Sequence, residues 1–354
     1  MEDIQINLVK NRKPKQMDEL RFGETFTDHM FVMDYSEQNG WHNPTILPYG
    51  PIDFLPCSIF LHYGQQVFEG LKAYKTVDGR VCLFRPQENF KRLNISCERL
   101  CIPKIDEDFA LKALIKLLEI EREWVPSVAG ASLYIRPFII ATDNILGVHP
   151  SKNYKFFIIL SPSGSYYKNG LEPVKIYVES NYVRASVGGT GYCKTGGNYA
   201  ASLKAQEEAE EKGYDQVLWL DGMEKRYIEE VGAMNVFFRF GETVVTPKLD
   251  GTILPGITRQ TVLTLLRDWG IPIQERLLSI DELIKRYRNN KFNEAWGTGT
   301  AAVISPIGEF NYNGFQMHIN HHKIGTLSKR LYDTLTGIQF GKLEDNYNWM
   351  VTIP

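Results

Sequence analysis

The sequence predicts a two-domain protein that mixes helices with strands, α+β in its first half and alternating α/β in its second. Three observations carry this. At 354 residues the chain exceeds one ordinary core and suits two domains of roughly 150 to 200 residues each. Runs rich in β-branched and aromatic residues alternate with runs whose apolar residues recur every three or four positions. Between the halves, "SGSYYKNGLE" at 163–172 is short, polar and glycine-containing, which suits a linker. The expected boundaries are 1–162 for a small N-terminal domain, 163–172 for the linker, and 173–354 for a larger C-terminal domain.

The elements follow in order. In the first domain "VCLF" (81–84), "SLYIRPFII" (132–140) and "YKFFIILSPSG" (154–164) read as strands, and "DEDFALKALIKLLEIEREWV" (106–125) reads as an amphipathic helix. The second domain opens with the strand "PVKIYVES" (173–180). Strands "DQVLWL" (215–220), "NVFFRF" (235–240) and "ETVVTP" (242–247) then alternate with helices "YAASLKAQEEAEEKG" (199–213) and "ITRQTVLTLLRDWG" (257–270). The chain shows no internal repeat and no low-complexity tract.

Composition narrows the partners. Lys plus Arg is 40 and Asp plus Glu is 42, a net charge of -2. No basic surplus argues for nucleic acid or an anionic membrane, so small molecules are the expected partners. The opening residues carry no apolar core of signal-peptide length, and no apolar run approaches about 18 residues, so a soluble cytoplasmic protein is expected. Five cysteines, at 57, 82, 97, 101 and 193, form no CxxC pair and suit a reducing compartment. Cys97 and Cys101 share a helical spacing without a neighbouring histidine. "HINHHK" (His318, His321, His322) is a better metal candidate but lacks a carboxylate or a second ligand group at helical spacing. No metal is expected.

The segment richest in chemistry is "GGTGYCKTGGNYAASLKAQ", residues 188–206. Five glycines surround Lys194, and a helix-forming run follows at once. The lysine precedes the glycine pair rather than following it before Ser or Thr, so this is not a P-loop, and no G-x-G-x-x-G joins a strand to a helix. A lysine on permissive backbone beside a helix start is well placed to condense with a carbonyl. If that carbonyl is the aldehyde of pyridoxal phosphate, the chain must also supply a phosphate cradle, a carboxylate for the pyridine nitrogen and a partner for the phenolic oxygen.

Candidates exist for these tasks. "ILPGITRQTVL" puts Pro255 and Gly256 just before a helical run, so the amides of Ile257 and Thr258 lie at a helix N-terminus, where anions are favoured. "WGTGTAAVISP" follows the strand-like "FNEA" with small residues whose amides can converge on an anion. "YIEEVGAMNVFF" carries Glu229 and Glu230 between strands, one able to face a site and the other the opposite side.

At this point six motifs in order, "LHYGQQVFEGLKAY", "SLYIRPF", "GGTGYCKTGGNY", "YIEEVGAMNVFF", "LPGITRQ" and "GTGTAA", resemble branched-chain aminotransferases, which are class IV, fold type IV pyridoxal-phosphate enzymes related to D-amino acid aminotransferase. The resemblance runs from about Phe22 to the C-terminus, and "FTDHMF" resembles the longer form of the enzyme. It implies a small N-terminal and a larger C-terminal domain with the cofactor between them. By this resemblance Lys194 carries pyridoxal 5'-phosphate as a Schiff base and moves the proton, and Glu230 pairs with the pyridine nitrogen. Tyr199 meets the phenolic oxygen. Arg92, in "ENFKRLN", holds the phosphate with the Ile257 and Thr258 amides and Thr300.

The resemblance also implies the reaction, a reversible transamination of leucine, isoleucine and valine with 2-oxoglutarate. The substrate α-carboxylate is expected on the amides of Thr300 and Ala301, and Phe26, Tyr63, Phe68, Tyr134 and Tyr166 are expected to wall the pocket. Arg136, in "YIRPF", is expected to pair with the γ-carboxylate of glutamate. A homodimer is implied, with Tyr63, Leu146 and Val148 reaching in from the neighbouring subunit. Ala233, where some relatives have Thr, leaves the side-chain preference open. D-amino-acid aminotransferases and aminodeoxychorismate lyases share the fold, the lysine and the glutamate, but usually have shorter chains and lack "FTDHMF". A non-catalytic pyridoxal-phosphate binder is the remaining alternative.

Overall fold

The computed structural model describes residues 3–15, 17, 20–165 and 171–354. The chain forms two compact units: Met1–Tyr166 with Cys193–Gly196 and Gly337–Pro354, and Tyr167–Tyr192 with Gly197–Thr336. Of the expected linker, residues 166–170 lie outside the described residues.

The first unit is built on one sheet. Its strands run in the order Gln5–Ile6, Gly40–Pro48, His29–Ser36, Asn153–Ser163, Ser132–Ala141, Leu71–Lys75, Val81–Phe84 and Met350–Thr352, and Gln66–Phe68 also pairs with Ser132–Ala141. The two long strands pair antiparallel from Ser132↔Ser163 to Ala141↔Tyr154. Their near-continuous apolar runs fit a central, buried position. The helix Glu107–Ile120 starts where the Asp106 side chain accepts from the Phe109 N–H, a regular N-cap. It buries Ala110, Ala113, Leu114, Leu117 and Leu118, the three-and-four spacing of one helical face. With Phe90 and Leu93 of the helix Pro86–Arg99, these residues share a core with Phe31, Phe156 and Ile158 of the sheet.

The C-terminal segment Gly337–Pro354 belongs to this first unit, whereas the sequence reading placed it with the second. The reason is a pairing no local pattern announces: Met350–Thr352 lies antiparallel against Val81–Phe84, Met350 opposite Phe84.

In the second unit six strands close into a ring. In ring order they are Ile228–Val231, Gln216–Leu220, Val174–Val178, Val303–Tyr312, Glu294–Gly299 and Met234–Phe240, and the last pairs back onto the first. The closing hairpin turns at Gly232 and Ala233, with Glu230 opposite Asn235 and Val231 opposite Met234. Ile176, Val178, Leu218, Val236 and Phe238 share a core here. The expected helix 199–213 is two, Gly196–Ala200 and Leu203–Glu211. Ser202 sits at the break and its hydroxyl donates to the Tyr199 carbonyl at 2.7 Å, the local side-chain bond that competes with helical continuation.

Candidate active site

Lys194 is fixed through its backbone. Its N–H donates to Ser96 Oγ at 2.9 Å and its carbonyl accepts from the Phe68 N–H at 3.0 Å. The next residue repeats the clamp, Thr195 Oγ1 donating to the Gln66 carbonyl at 2.7 Å. The lysine is thus held by a helix, Pro86–Arg99, and by a strand, Gln66–Phe68. Its amine lies 4.7 Å from the centre of the Phe68 ring. Burial first, then the nearby Arg92 guanidinium, pushes the ammonium down to about 8, so the neutral amine is accessible near physiological pH.

The charges around it form a connected set. Arg92 donates from Nε and NH2 to the two carboxylate oxygens of Glu69, at 2.7 and 2.9 Å, and both side chains are buried. Glu69 also accepts from Asn89 Nδ2 at 2.8 Å and the Gly70 N–H at 3.1 Å. Burial works to raise the Glu69 carboxyl, but the charge and hydrogen bonds of Arg92, helped by Lys194, hold it below the ordinary carboxylate value. Arg136 stacks its guanidinium 4.8 Å over the same Phe68 ring and donates to Tyr134 Oη at 2.9 Å. Its Nε is buried and has no hydrogen-bond partner among the described residues.

Five of the residues expected at the site, Arg92, Lys194, Phe68, Tyr134 and Arg136, therefore gather in the first unit. Glu69 was missed. Its one sequence signal is an acid inside the apolar stretch "VFEGL", with its partner 23 positions away. Phe26 stacks on Tyr49 at 4.7 Å, and it is Phe22 that meets Tyr134 edge-on, also at 4.7 Å. Tyr63, Leu146 and Val148 are exposed, and Tyr63 Oη donates to the Leu146 carbonyl at 3.1 Å. Tyr166 lies outside the described residues.

The remaining site residues lie in the second unit. Glu229 and Glu230 are not between strands, as the sequence suggested, but inside the strand Ile228–Val231, both buried. Alternation along the strand sends them to opposite faces. Glu230 faces Arg184 Nε at 2.6 Å and accepts from Asn235 Nδ2 at 3.0 Å and the Leu254 N–H at 3.2 Å. Arg184 was also missed, being far from its partner in the chain. Glu229 is pushed up to about 7, mainly by burial, and its Oε2 has no partner among the described residues.

The anion sites have the expected backbone. The helix Ile257–Asp268 starts after Gly256, with no side-chain cap and no acid in its first turn, so among the described residues its N-cap supplies no side-chain acceptor for the first-turn N–H groups. A Cβ on Gly256 would fall 2.0 Å from Asn235 Oδ1, so a side chain there would displace the Asn235 amide. Thr300 and Ala301 form the turn between Glu294–Gly299 and Val303–Tyr312. Tyr199 is half-buried on the short Gly196–Ala200 helix.

A lysine amine depressed by burial and by two arginines, in a chain of this topology, suits an enzyme that handles amino groups. Residues 66–310 match the family described as amino-transferase class IV, and the chain belongs to that family. It is 55% identical, over 99% of its length and 97% of the relative's, to branched-chain-amino-acid aminotransferase 2 of Bacillus subtilis (strain 168). Among solved structures it is similar to the branched-chain amino acid aminotransferase of Escherichia coli, with a TM-score of 0.76 and 26% identity over 92% of this chain and 99% of that one. It is likewise similar to the T.th. branched-chain amino acid aminotransferase complexed with N-(5'-phosphopyridoxyl)-L-glutamate, with a TM-score of 0.75 and 25% identity over 92% and 98%. No helix among the described residues is long and apolar enough to cross a membrane.

Proposed function

We propose that this chain reversibly transfers the amino group between the branched-chain L-amino acids leucine, isoleucine and valine and 2-oxoglutarate, with pyridoxal 5'-phosphate as cofactor. The observation that carries this reading is the Lys194 amine, pushed down to about 8 between Phe68, Arg92 and Arg136 in a chain 55% identical to a branched-chain-amino-acid aminotransferase.

The donor set fits the cofactor. An uncapped helix start and a buried, forked guanidinium are groups that take phosphate, and a buried strand glutamate suits a ring N–H. Arg92, Ile257, Thr258 and Thr300 would hold the phosphate, Tyr199 the phenolic oxygen and Glu230 the pyridine nitrogen. Glu230 is oriented by Arg184, the Asn235 amide and the Leu254 N–H. When bound, pyridoxal phosphate supplies the aldehyde that takes up the amino group and the electron sink that acidifies the substrate Cα–H.

The protein's part is positioning and proton transfer. Lys194 would bind the cofactor, then act as general base and acid at the substrate Cα, a task suited to an amine that titrates near 8. The Thr300 and Ala301 amides would seat the α-carboxylate. Phe26, Phe68, Tyr134 and Tyr166 would give a branched side chain apolar contact. Arg136 Nε, buried and unpartnered among the described residues, would take the γ-carboxylate of glutamate.

The same reading makes the protein a cytoplasmic homodimer. Cys57, Cys82, Cys97, Cys101 and Cys193 are all free, which suits a reducing compartment. Leu61, Tyr63, Ile145, Leu146 and Val148 are exposed, and the two segments that carry them are tied together by Ser58 Oγ donating to Asn144 Oδ1 at 2.9 Å. An exposed apolar group of this kind suits an interface, and Tyr63, Leu146 and Val148 would complete the partner's pocket. The test is to purify the protein, look for the yellow cofactor, and follow 2-oxoglutarate consumption with L-leucine, L-isoleucine, L-valine and D-alanine. Activity with the three L-amino acids is expected; activity with D-alanine alone would assign the chain to the D-amino-acid branch, and a colourless, inactive protein would reject the proposal.

A further inference from the structure

We infer that Glu309, His318 and His322 form a binding site for a divalent transition-metal ion of the zinc type, independent of the transamination site. His318 and His322 have the H-x3-H spacing common among zinc ligands, and the structure adds the carboxylate that the sequence lacks around them. In the antiparallel pairing of Val303–Tyr312 with Phe315–His318, His318 stands directly opposite Glu309. The chain then reverses through Asn320, His321 and His322, three consecutive residues with left-handed φ of 47°, 53° and 57°. Asn320 Nδ2 holds this reversal by donating to the carbonyls of Lys323 and Ile324, at 3.0 and 3.2 Å. His322 returns against Gly308, where a Cβ would lie 3.0 Å from its Nδ1. That contact leaves Nε2 facing Glu309.

The three ligand atoms have the separations that one small cation requires. His318 Nδ1 and His322 Nε2 are 2.9 Å apart, and each lies close to Glu309 Oε2, at 3.6 and 3.7 Å. The point equidistant from all three, in their own plane, is about 2.0 Å from each, and zinc bonds imidazole nitrogen and carboxylate oxygen at about 2.0–2.2 Å. Without a cation the two rings share a hydrogen bond, and its proton is what a metal displaces. The Glu309 carboxylate meets the imidazoles beyond hydrogen-bond reach although its side chain is only 7% exposed. The His318 and His322 side chains are 48% and 41% exposed, so a fourth position opens to water. His321 takes no part in the cluster. The site would clip the Phe315–His318 strand and the following turn to the Val303–Tyr312 strand.

The test uses the full chain with its cofactor and no amino acid. Zinc ion alone is titrated calorimetrically into the wild type and into His318→Ala, His322→Ala, Glu309→Gln and the control Cys101→Ser, with melting curves to verify folding. One zinc per chain is expected in the wild type and in Cys101→Ser, with a rise in Tm, and that equivalent is lost or weakened at least tenfold in both histidine variants. Cobalt(II) in place of zinc should give the visible bands of a four-coordinate ion in the wild type and not in His322→Ala. If Glu309→Gln fails to fold, the two exposed histidines decide the matter. No zinc binding to the wild type, or binding of the same stoichiometry and strength in both histidine variants, overturns the inference.

Discussion

Arg92 and Glu69 meet as a buried two-point ion pair, Nε to Oε1 at 2.7 Å and NH2 to Oε2 at 2.9 Å. Both charges bear on the Lys194 amine, Arg92 lowering its pKa and Glu69 raising it. Glu69→Ala removes the carboxylate that accepts from Arg92 Nε and NH2. Breaking a buried pair from one side costs about 3–5 kcal/mol, and urea unfolding without cofactor should show a loss of that order. A loss under about 1 kcal/mol would mean that water or another group compensates Arg92.

Glu229 gives a pH signature with a defined sign. Its folded pKa is raised to about 7 from the ordinary carboxyl value of 4.5, mainly by burial. Between those two values the unfolded chain holds fewer protons than the folded one, so this group's contribution to stability falls as pH rises. Glu229→Gln removes that slope. Its stability relative to wild type should grow between about pH 4.5 and 7 by up to about 3 kcal/mol, then level off. Denaturant midpoints at four pH values measure it, and a constant difference would contradict it.

Glu230→Gln keeps the shape of the side chain and deletes the charge facing Arg184. On the proposed reading, substrate proton removal slows about 10²-fold, about 3 kcal/mol of barrier, while the cofactor stays bound. Single-turnover reaction with leucine reads this. A harmless Glu230→Gln beside a damaging Glu229→Gln would reverse the facing of the two acids.

Arg136→Met keeps a long apolar stem over Phe68 and Tyr134 and removes the charge. A charge-assisted hydrogen bond there is worth about 1.5 to 3 kcal/mol, so kcat/KM with glutamate should fall roughly 10- to 150-fold. Leucine, which offers only methyl groups at that spot, should change a few-fold. Equal loss with both would make Arg136 a structural residue.

What the sequence disclosed depended on whether the signal was local. Lys194 and the uncapped start at Gly256 stood out because glycine neighbours and a following helical run are adjacent in the chain. The strands 132–141 and 153–163 were legible for the same reason, since continuous apolar runs mark buried strands. Glu69 with Arg92, Arg184 with Glu230, and Glu309 with the two histidines were not legible as pairs, because sheet register and helix packing bring together residues far apart in sequence. The home of the C-terminal segment was hidden likewise, being settled by the pairing of Met350 with Phe84. The break at Ser202 was locally encoded but outweighed by the helical composition around it.

Lys194 tests the account most directly. Glutamate formation from leucine and 2-oxoglutarate is measured in the wild type, in Lys194→Ala and in Lys204→Ala, whose lysine pairs with Glu207 on the exposed side of the next helix. The account predicts that Lys194→Ala loses the absorbance of the lysine-bound cofactor and several orders of magnitude in turnover, while Lys204→Ala keeps both. Equal activity in Lys194→Ala and the wild type, or equal loss in both variants, would contradict it.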